Sequence, residues 1–142
     1  MKPYIFLTVA ALCLYACDCD ELEPTDPKLP DLVVQFISQP DVDCPGGGGT
    51  CVTTVAVEIA NIGDGDAGMF NVRATMDPSA MVVVDRTVSS LAAGSVAMVV
   101  FMSPAGGNCY DPDCSILVVA DSNNDIVEEN ENNNDRLENF FG

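Results

Sequence analysis

Seven cysteines and 22 acidic side chains are the residues of this 142-residue chain that could do chemistry, and their spacing limits what that chemistry is. Four of the cysteines form two close pairs. Cys44 and Cys51 enclose a tip containing Gly46, Gly47, Gly48 and Gly49, and Cys109 and Cys114 enclose Tyr110-Asp111-Pro112-Asp113. In an exported chain such pairs read as local disulfides, each worth about 2 to 2.5 kcal/mol from loop-closure entropy. A four-cysteine zinc site is the sharper alternative, but short C-x₂₋₄-C spacings are not found on both sides. Asp121-Ser122-Asn123-Asn124-Asp125 sets oxygen ligands at alternating positions, as a hard cation requires. With Asp64 and Asp66 from an earlier loop, Asp121, Asn123 and Asp125 form a calcium candidate set. The EF-hand pattern fails, because Ile126 stands where glycine is needed and no helix flanks the run. The competing reading is an Asx-rich turn whose side chains satisfy local backbone groups. Glu128, Glu129 and Glu131 could pair as acid and base, but nothing places them in a cleft, and a solvated acidic face is expected. No catalytic residue is assigned, and no cofactor is required, calcium being the one ion these groups could take.

Composition removes several functions outright. There is no histidine, hence no Ser-His-Asp or Cys-His triad and no imidazole base. A net charge of −17 repels phosphate, so nucleic acid is not a partner. Carbohydrate platforms are weakly supplied: there is no Trp, and of three Tyr only Tyr110 lies beyond Tyr4 and Tyr15.

The elements that must position these groups begin after an export segment. Lys2 gives a positive start, and residues 4–16 form an uncharged, mostly apolar run too short to span a bilayer. The run ends in Leu14-Tyr15-Ala16-Cys17, which resembles the lipobox of bacterial lipoproteins, in which the cysteine is acylated after signal cleavage. Tyr15 departs from the usual small residue, and ordinary signal-peptidase cleavage is the alternative. The expected organisation is a signal peptide over 1–16, an acidic tether over 17–30 punctuated by Pro24, Pro27 and Pro30, and one domain over 31–142. Cys19 has no assigned partner and is either free beside the membrane or bridges to another chain.

Within the domain, short apolar runs are separated by Gly, Pro, Asp and Asn, with no sustained helical spacing. Strands are expected over 32–37, 51–60, 69–76, 81–88, 95–102, 115–120 and 131–138. The second alternates Val55, Val57 and Ile59 against Thr54, Ala56 and Glu58; the third alternates Phe70, Val72 and Ala74 against Asn71, Arg73 and Thr75. The runs over 96–102 and 116–120 are apolar on both faces, as central or covered strands would be. The 61–66 segment is expected to supply positive-φ turn positions, and Gly94 another. The fold class is therefore all-β, a seven-stranded antiparallel sandwich. Alternating strand direction then puts both cysteine loops at one end and the Asp64, Asp66 and Asp121 loops, with Asp31, at the other.

Several segments together resemble one family. They are 30–34 (Pro-Asp-Leu-Val-Val), Asn61-Ile62-Gly63, 67–72, 91–95, and the Ala120-Asp121 run through Asn124, Ile126, Glu128, Glu131, Asn133 and Asn134. In order and spacing they are similar to CARDB, the cell-adhesion-related domain found in bacteria, over about residues 30 to 136. The resemblance implies an immunoglobulin-like β-sandwich on exported proteins, with an adhesive role. The expected function is a non-enzymatic, membrane-anchored binding, adhesion or structural module of the cell envelope. It would contact an envelope or extracellular protein or a glycan and hold the membrane through Cys17. A calcium-dependent carbohydrate-binding module is the alternative, and a small carboxylate hydrolase the third reading. Tyr110 and the Gly46, Gly47, Gly48 and Gly49 tip are the candidate contact residues, with sheet faces such as that of Arg73 and Thr75 as the competing surface.

Overall fold

Period-two alternation leaves each strand one apolar face, and two sheets that press those faces together bury them while neighbouring strands pair their backbones. This is what the computed structural model shows. It describes residues 26–46, 50–77, 82–107, 109 and 113–141. The export segment, Cys17, Cys19, most of the tether, Gly47, Gly48, Gly49 and Tyr110 lie outside the described residues. Eight strands follow in order: β1 (Leu32–Ile37), β2 (Asp41–Asp43), β3 (Val52–Asn61), β4 (Phe70–Asp77), β5 (Val82–Val88), β6 (Val96–Met102), β7 (Asp113–Val119) and β8 (Asp135–Phe141). One sheet has β3 at its centre, with β1 and β2 along one side and β6 along the other; the second runs β5-β4-β7-β8. All pairings are antiparallel. The expected immunoglobulin-like sandwich is confirmed, and Val55, Val57, Ile59, Phe70, Val72 and Ala74 all point into the core.

Five local expectations are corrected. The described residues form eight strands rather than seven: Asp41-Val42-Asp43 has no apolar run to announce it, yet pairs with residues 52–54 of β3. The last strand begins at Asp135, not 131, because residues 131–134 are engaged in the loop described below, and β7 starts at Asp113, which draws Cys114 into the core. β6 is an edge strand, although both its faces are apolar; Val99 and Phe101 are buried while Val96, Met98, Val100 and Met102 are exposed. In the 61–66 turn, neither Gly63 nor Gly65 has positive φ. Their requirement is space, as an added Cβ would lie 2.5 Å from the Leu29 carbonyl oxygen at Gly63 and 2.3 Å from that of Lys28 at Gly65. Gly94 does take φ +69, as expected.

A bulge in β1 redirects one large side chain. Val34 stands opposite Ile59 and Ile37 opposite Val57, both inward, but the register shifts between Val34 and Phe36, so that Phe36 faces outward opposite Glu58. Both seams of the sandwich are crossed by arginine. Arg86 Nε of β5 donates to the Val100 carbonyl of β6 (3.2 Å), and Arg136 Nη1 of β8 donates to the Gln35 carbonyl of β1 (2.7 Å). Each guanidinium thus covers an open strand edge that could otherwise template aggregation.

Both expected disulfides are present, Cys44–Cys51 and Cys109–Cys114. Cys109 and Cys114 are core residues, whereas Cys44 is exposed. Replacing Cys44 and Cys51 together by Ala is expected to lower unfolding free energy by about 2 kcal/mol, the loop-closure value. The Cys109/Cys114 double replacement is expected to cost at least as much, since packing is lost with the crosslink. Urea midpoints of the two double variants, measured side by side, check the ranking.

Candidate functional site

The two ends of the sandwich are built differently. At one end, both cysteine loops meet: the Gly106 N–H donates to the Cys51 carbonyl (2.9 Å), the Cys109 N–H to Thr53 Oγ1 (3.0 Å), and the Thr53 N–H to Ser103 Oγ (2.9 Å). The expectation that the cysteine loops share one end is met. Gly46 carries φ +87 at the edge of its tip.

The opposite end holds the acidic residues, and the 120–134 connection organises it. Asp121 takes φ +44 and accepts the Asp125 N–H on Oδ1 (3.0 Å) and the Ile126 N–H on Oδ2 (2.8 Å). That is an Asx cap: a short side chain tolerates the left-handed region and closes the turn. Asn124 follows at φ +57, and its N–H donates to the Asp121 carbonyl.

The chain then reaches Glu128, which is only 5 % exposed. Its Oε2 accepts the Leu32 backbone N–H and its Oε1 accepts Asn134 Nδ2, each at 2.5 Å. The Glu128 N–H in turn donates to Glu131 Oε1 (2.8 Å), the Glu129 N–H to the Pro30 carbonyl (2.8 Å), and Asn133 Nδ2 to Asp31 Oδ1 (2.8 Å). Burial pushes the Glu128 carboxyl up from 4.5 to about 7; its two hydrogen bonds pull the other way, and Glu131 and Asp121 add repulsion. Expectation and structure part here, since Glu128 is no member of a solvated face; Glu129 and Glu131 are exposed as expected.

Asn61 does the same work from the other side. It is buried, donates Nδ2 to the carbonyls of Gly65 (2.8 Å) and Leu91 (3.0 Å), and accepts the N–H groups of Asp31 (3.1 Å) and Gly63 (3.2 Å) on Oδ1. Residues 28–31 are thereby bolted between two loops before β1 begins. Sequence reasoning treated Asn61 as turn punctuation; the signal that could have separated it is its place at the end of an otherwise apolar alternating strand.

The calcium candidates are dispersed by this arrangement. Asp121 holds two backbone N–H groups, and Asp66 Oδ1 accepts the Ala93 N–H (2.9 Å). Asp64 lies with Asp26, Lys28 and Glu129 around one cavity of about 250 Å³, while Asp121 lines another of about 230 Å³ with Ser122, Asn124, Glu131, Asn134 and Asp135. Asn123 and Asp125 are exposed. Among the described residues no three His, Cys, Asp or Glu side chains gather to hold a metal ion. These five residues do not fit a cation cage.

The described residues thus form a two-sheet β-sandwich, locked at the end where the chain enters β1 and disulfide-closed at the other. The CARDB family pattern matches residues 29–138, and the chain belongs to that family. Among solved structures, it is similar to the CARDB domain of the PF1109 protein of Pyrococcus furiosus, determined in complex with di-metal ions. The identity is 25 % and the TM-score 0.61, over 82 % of this chain and 96 % of that one. It is also similar to residues 272–376 of a protein assigned to the cell surface of Methanosarcina acetivorans, at 26 % identity and TM-score 0.60, over 80 % of this chain and 91 % of that one. Both relatives are archaeal, so the domain type is not confined to bacteria. No curated protein matches the chain.

Proposed function

We propose that this chain is a non-enzymatic binding or adhesion module, exported and held at a membrane by a lipid on Cys17, that presents a rigid sandwich to a protein or glycan outside the cell membrane. The observation that carries the reading is the family match over residues 29–138 together with two disulfides, which form in oxidising compartments. The lock around Glu128 supports it, because it ties the chain's entry into the domain to the end opposite the cysteine loops. From a lipid at Cys17, the residues up to Pro30 reach at most about 45 Å when extended. The cysteine end then faces away from the bilayer. Cys17→Ala is expected to move the protein from the membrane to the soluble fraction. A wild-type chain recovered soluble, with its N-terminus at another cleavage site, would count against anchoring.

A second reading, cation binding, is favoured by the di-metal ions of the Pyrococcus furiosus domain and by Ser122 Oγ, Asn133 Oδ1 and Asn134 Oδ1, which are buried without a protein hydrogen-bond partner. With the acidic residues dispersed as they are, millimolar calcium at constant ionic strength is expected to leave the melting temperature unchanged. A saturable rise would establish the second reading instead, through binding to the folded state.

A further inference from the structure

The outward face of the β1-β3-β6 sheet is dressed unlike the rest of the surface. Val96, Met98, Val100 and Met102, the outward column of β6, are 50 to 59 % exposed, and Phe36 on the same face is 49 % exposed. The register makes them contiguous: Phe36, Glu58 and Met98 form one row, Ala56 and Val100 the next, Thr54 and Met102 the third. Exposed apolar side chains scattered singly need no explanation, but a contiguous patch marks a contact site. The other sheet offers the contrast. Its outward polar groups pair with one another, Thr87 with Asn71, Arg73 with Asp85, Ser115 with Asn139, and of its exposed apolar residues Val83 lies on one edge strand and Leu137 and Phe141 on the other.

The charges carried by β2 and β3 beside the patch are acidic. Asp41 stands opposite Thr54 and Asp43 opposite Val52, both exposed, and Glu58 sits within the patch. The cations at its two rims, Arg86 beside β6 and Arg136 beside β1, are already held on the Val100 and Gln35 carbonyls. The Arg86 contact and the neighbouring β5 obstruct strand addition at the β6 edge, leaving the face itself.

Taking the binding-module reading as its basis, we infer that this face docks a basic amphipathic helix of a partner protein. The apolar stripe of that helix lies on Val96, Met98, Val100 and Met102, and its Lys or Arg side chains reach Glu58, Asp41 and Asp43. The dimensions agree. The β6 column is roughly 20 Å long and the carboxylates lie about 5 to 10 Å to its side; a helix of about 14 residues has that length and width. A second copy of this chain is a poor occupant, since each copy carries −17 and a symmetric contact would bring Glu58 toward its equivalent. An anionic lipid surface is repelled for the same reason.

The test uses the full chain and two synthetic 14-residue peptides of identical Leu and Lys composition. One is patterned with a single apolar helical face and the other scrambled to abolish it. The patterned peptide is expected to bind at least tenfold more tightly and to shift the methyl resonances of Met98 and Met102. Met98→Asp with Val100→Asp, and separately Glu58→Lys, should each weaken binding about tenfold, while Leu137→Asp on the other sheet should not. Equal affinity for the two peptides, or methyl shifts confined elsewhere, overturns the inference. So does loss of binding on changing Tyr110 or Gly46 in place of the face, or a dimer in light scattering that Val100→Asp dissolves. The methyl map is read on the unaltered protein, so it stands even if a variant fails to fold. Because membrane release of Cys17→Ala is scored separately, anchoring and docking can fail independently.

Discussion

Glu128→Ala is expected to lower the stability of the domain by about 3 kcal/mol, since it strands two donors, the buried Leu32 N–H and Asn134 Nδ2, whose loss of a partner costs about 1 to 3 kcal/mol each. It also releases the 120–134 connection from β1, which should appear as faster amide exchange at Leu32 and across residues 28–31. The same residue makes stability depend on pH. Burial raises the folded-state value to about 7 against an ordinary 4.5. Between those values the folded domain holds a proton that the unfolded chain has released, so this group favours folding at the lower pH. The contribution is complete below 4.5 and lost as pH rises through 7. Urea midpoints of the wild-type protein should therefore fall between pH 5 and pH 8 more steeply than those of Glu128→Gln, which cannot titrate. Equal slopes would show that the buried carboxyl carries no such linkage.

Gly65→Ala is expected to cost a similar amount, about 3 kcal/mol, at the upper end of what overpacking a close contact does. The methyl group would stand 2.3 Å from the Lys28 carbonyl oxygen, which is backbone and cannot rotate away. Moving residues 28–31 to relieve it breaks the Gly65 N–H to Leu29 carbonyl bond (2.9 Å) and disturbs the Asn61 hub, whose Nδ2 donates to the Gly65 carbonyl. Gly94→Ala is the control. Gly94 needs φ +69 but has nothing within 4 Å of an added Cβ, so only backbone strain of about 1 kcal/mol is expected. If the two variants melt together, close approach at Gly65 is not what the glycine provides.

The behaviour of these two residues marks the boundary between what the linear chain declares and what it conceals. Alternation in β3 and β4 declared which side chains face the core, because a strand's two faces are written at a period of two and burial follows directly. The cysteine pairs were equally legible: their partners are so near in sequence that closing the loop needs no knowledge of the fold. Strand direction then assigned the loops to ends, since antiparallel neighbours leave little choice.

Other features depended on contacts between residues far apart in the chain, and no local pattern encodes those. Glu128 meets Leu32 across 96 positions, and this alone separates a buried, raised carboxyl from the exposed Glu129 beside it. Gly65 read as a flexible turn residue until residues 28–31 were laid against it. The apolar residues of β6 implied a central or covered strand, and which of the two it is depends on its neighbours. β6 is an edge strand, and among the described residues nothing packs over the outward face on which Val96, Met98, Val100 and Met102 stand. The bulge at Gln35 added Phe36 to them. By itself, then, the sequence determined the fold class, the disulfides and most core-facing positions, which follow from periodicity and short-range spacing, and it carried the family resemblance in motifs spread along the domain. Only the tertiary structure decided which carboxylate is buried, why Gly63 and Gly65 must lack a side chain, and which sheet face is left uncovered, because each of these is a long-range packing outcome.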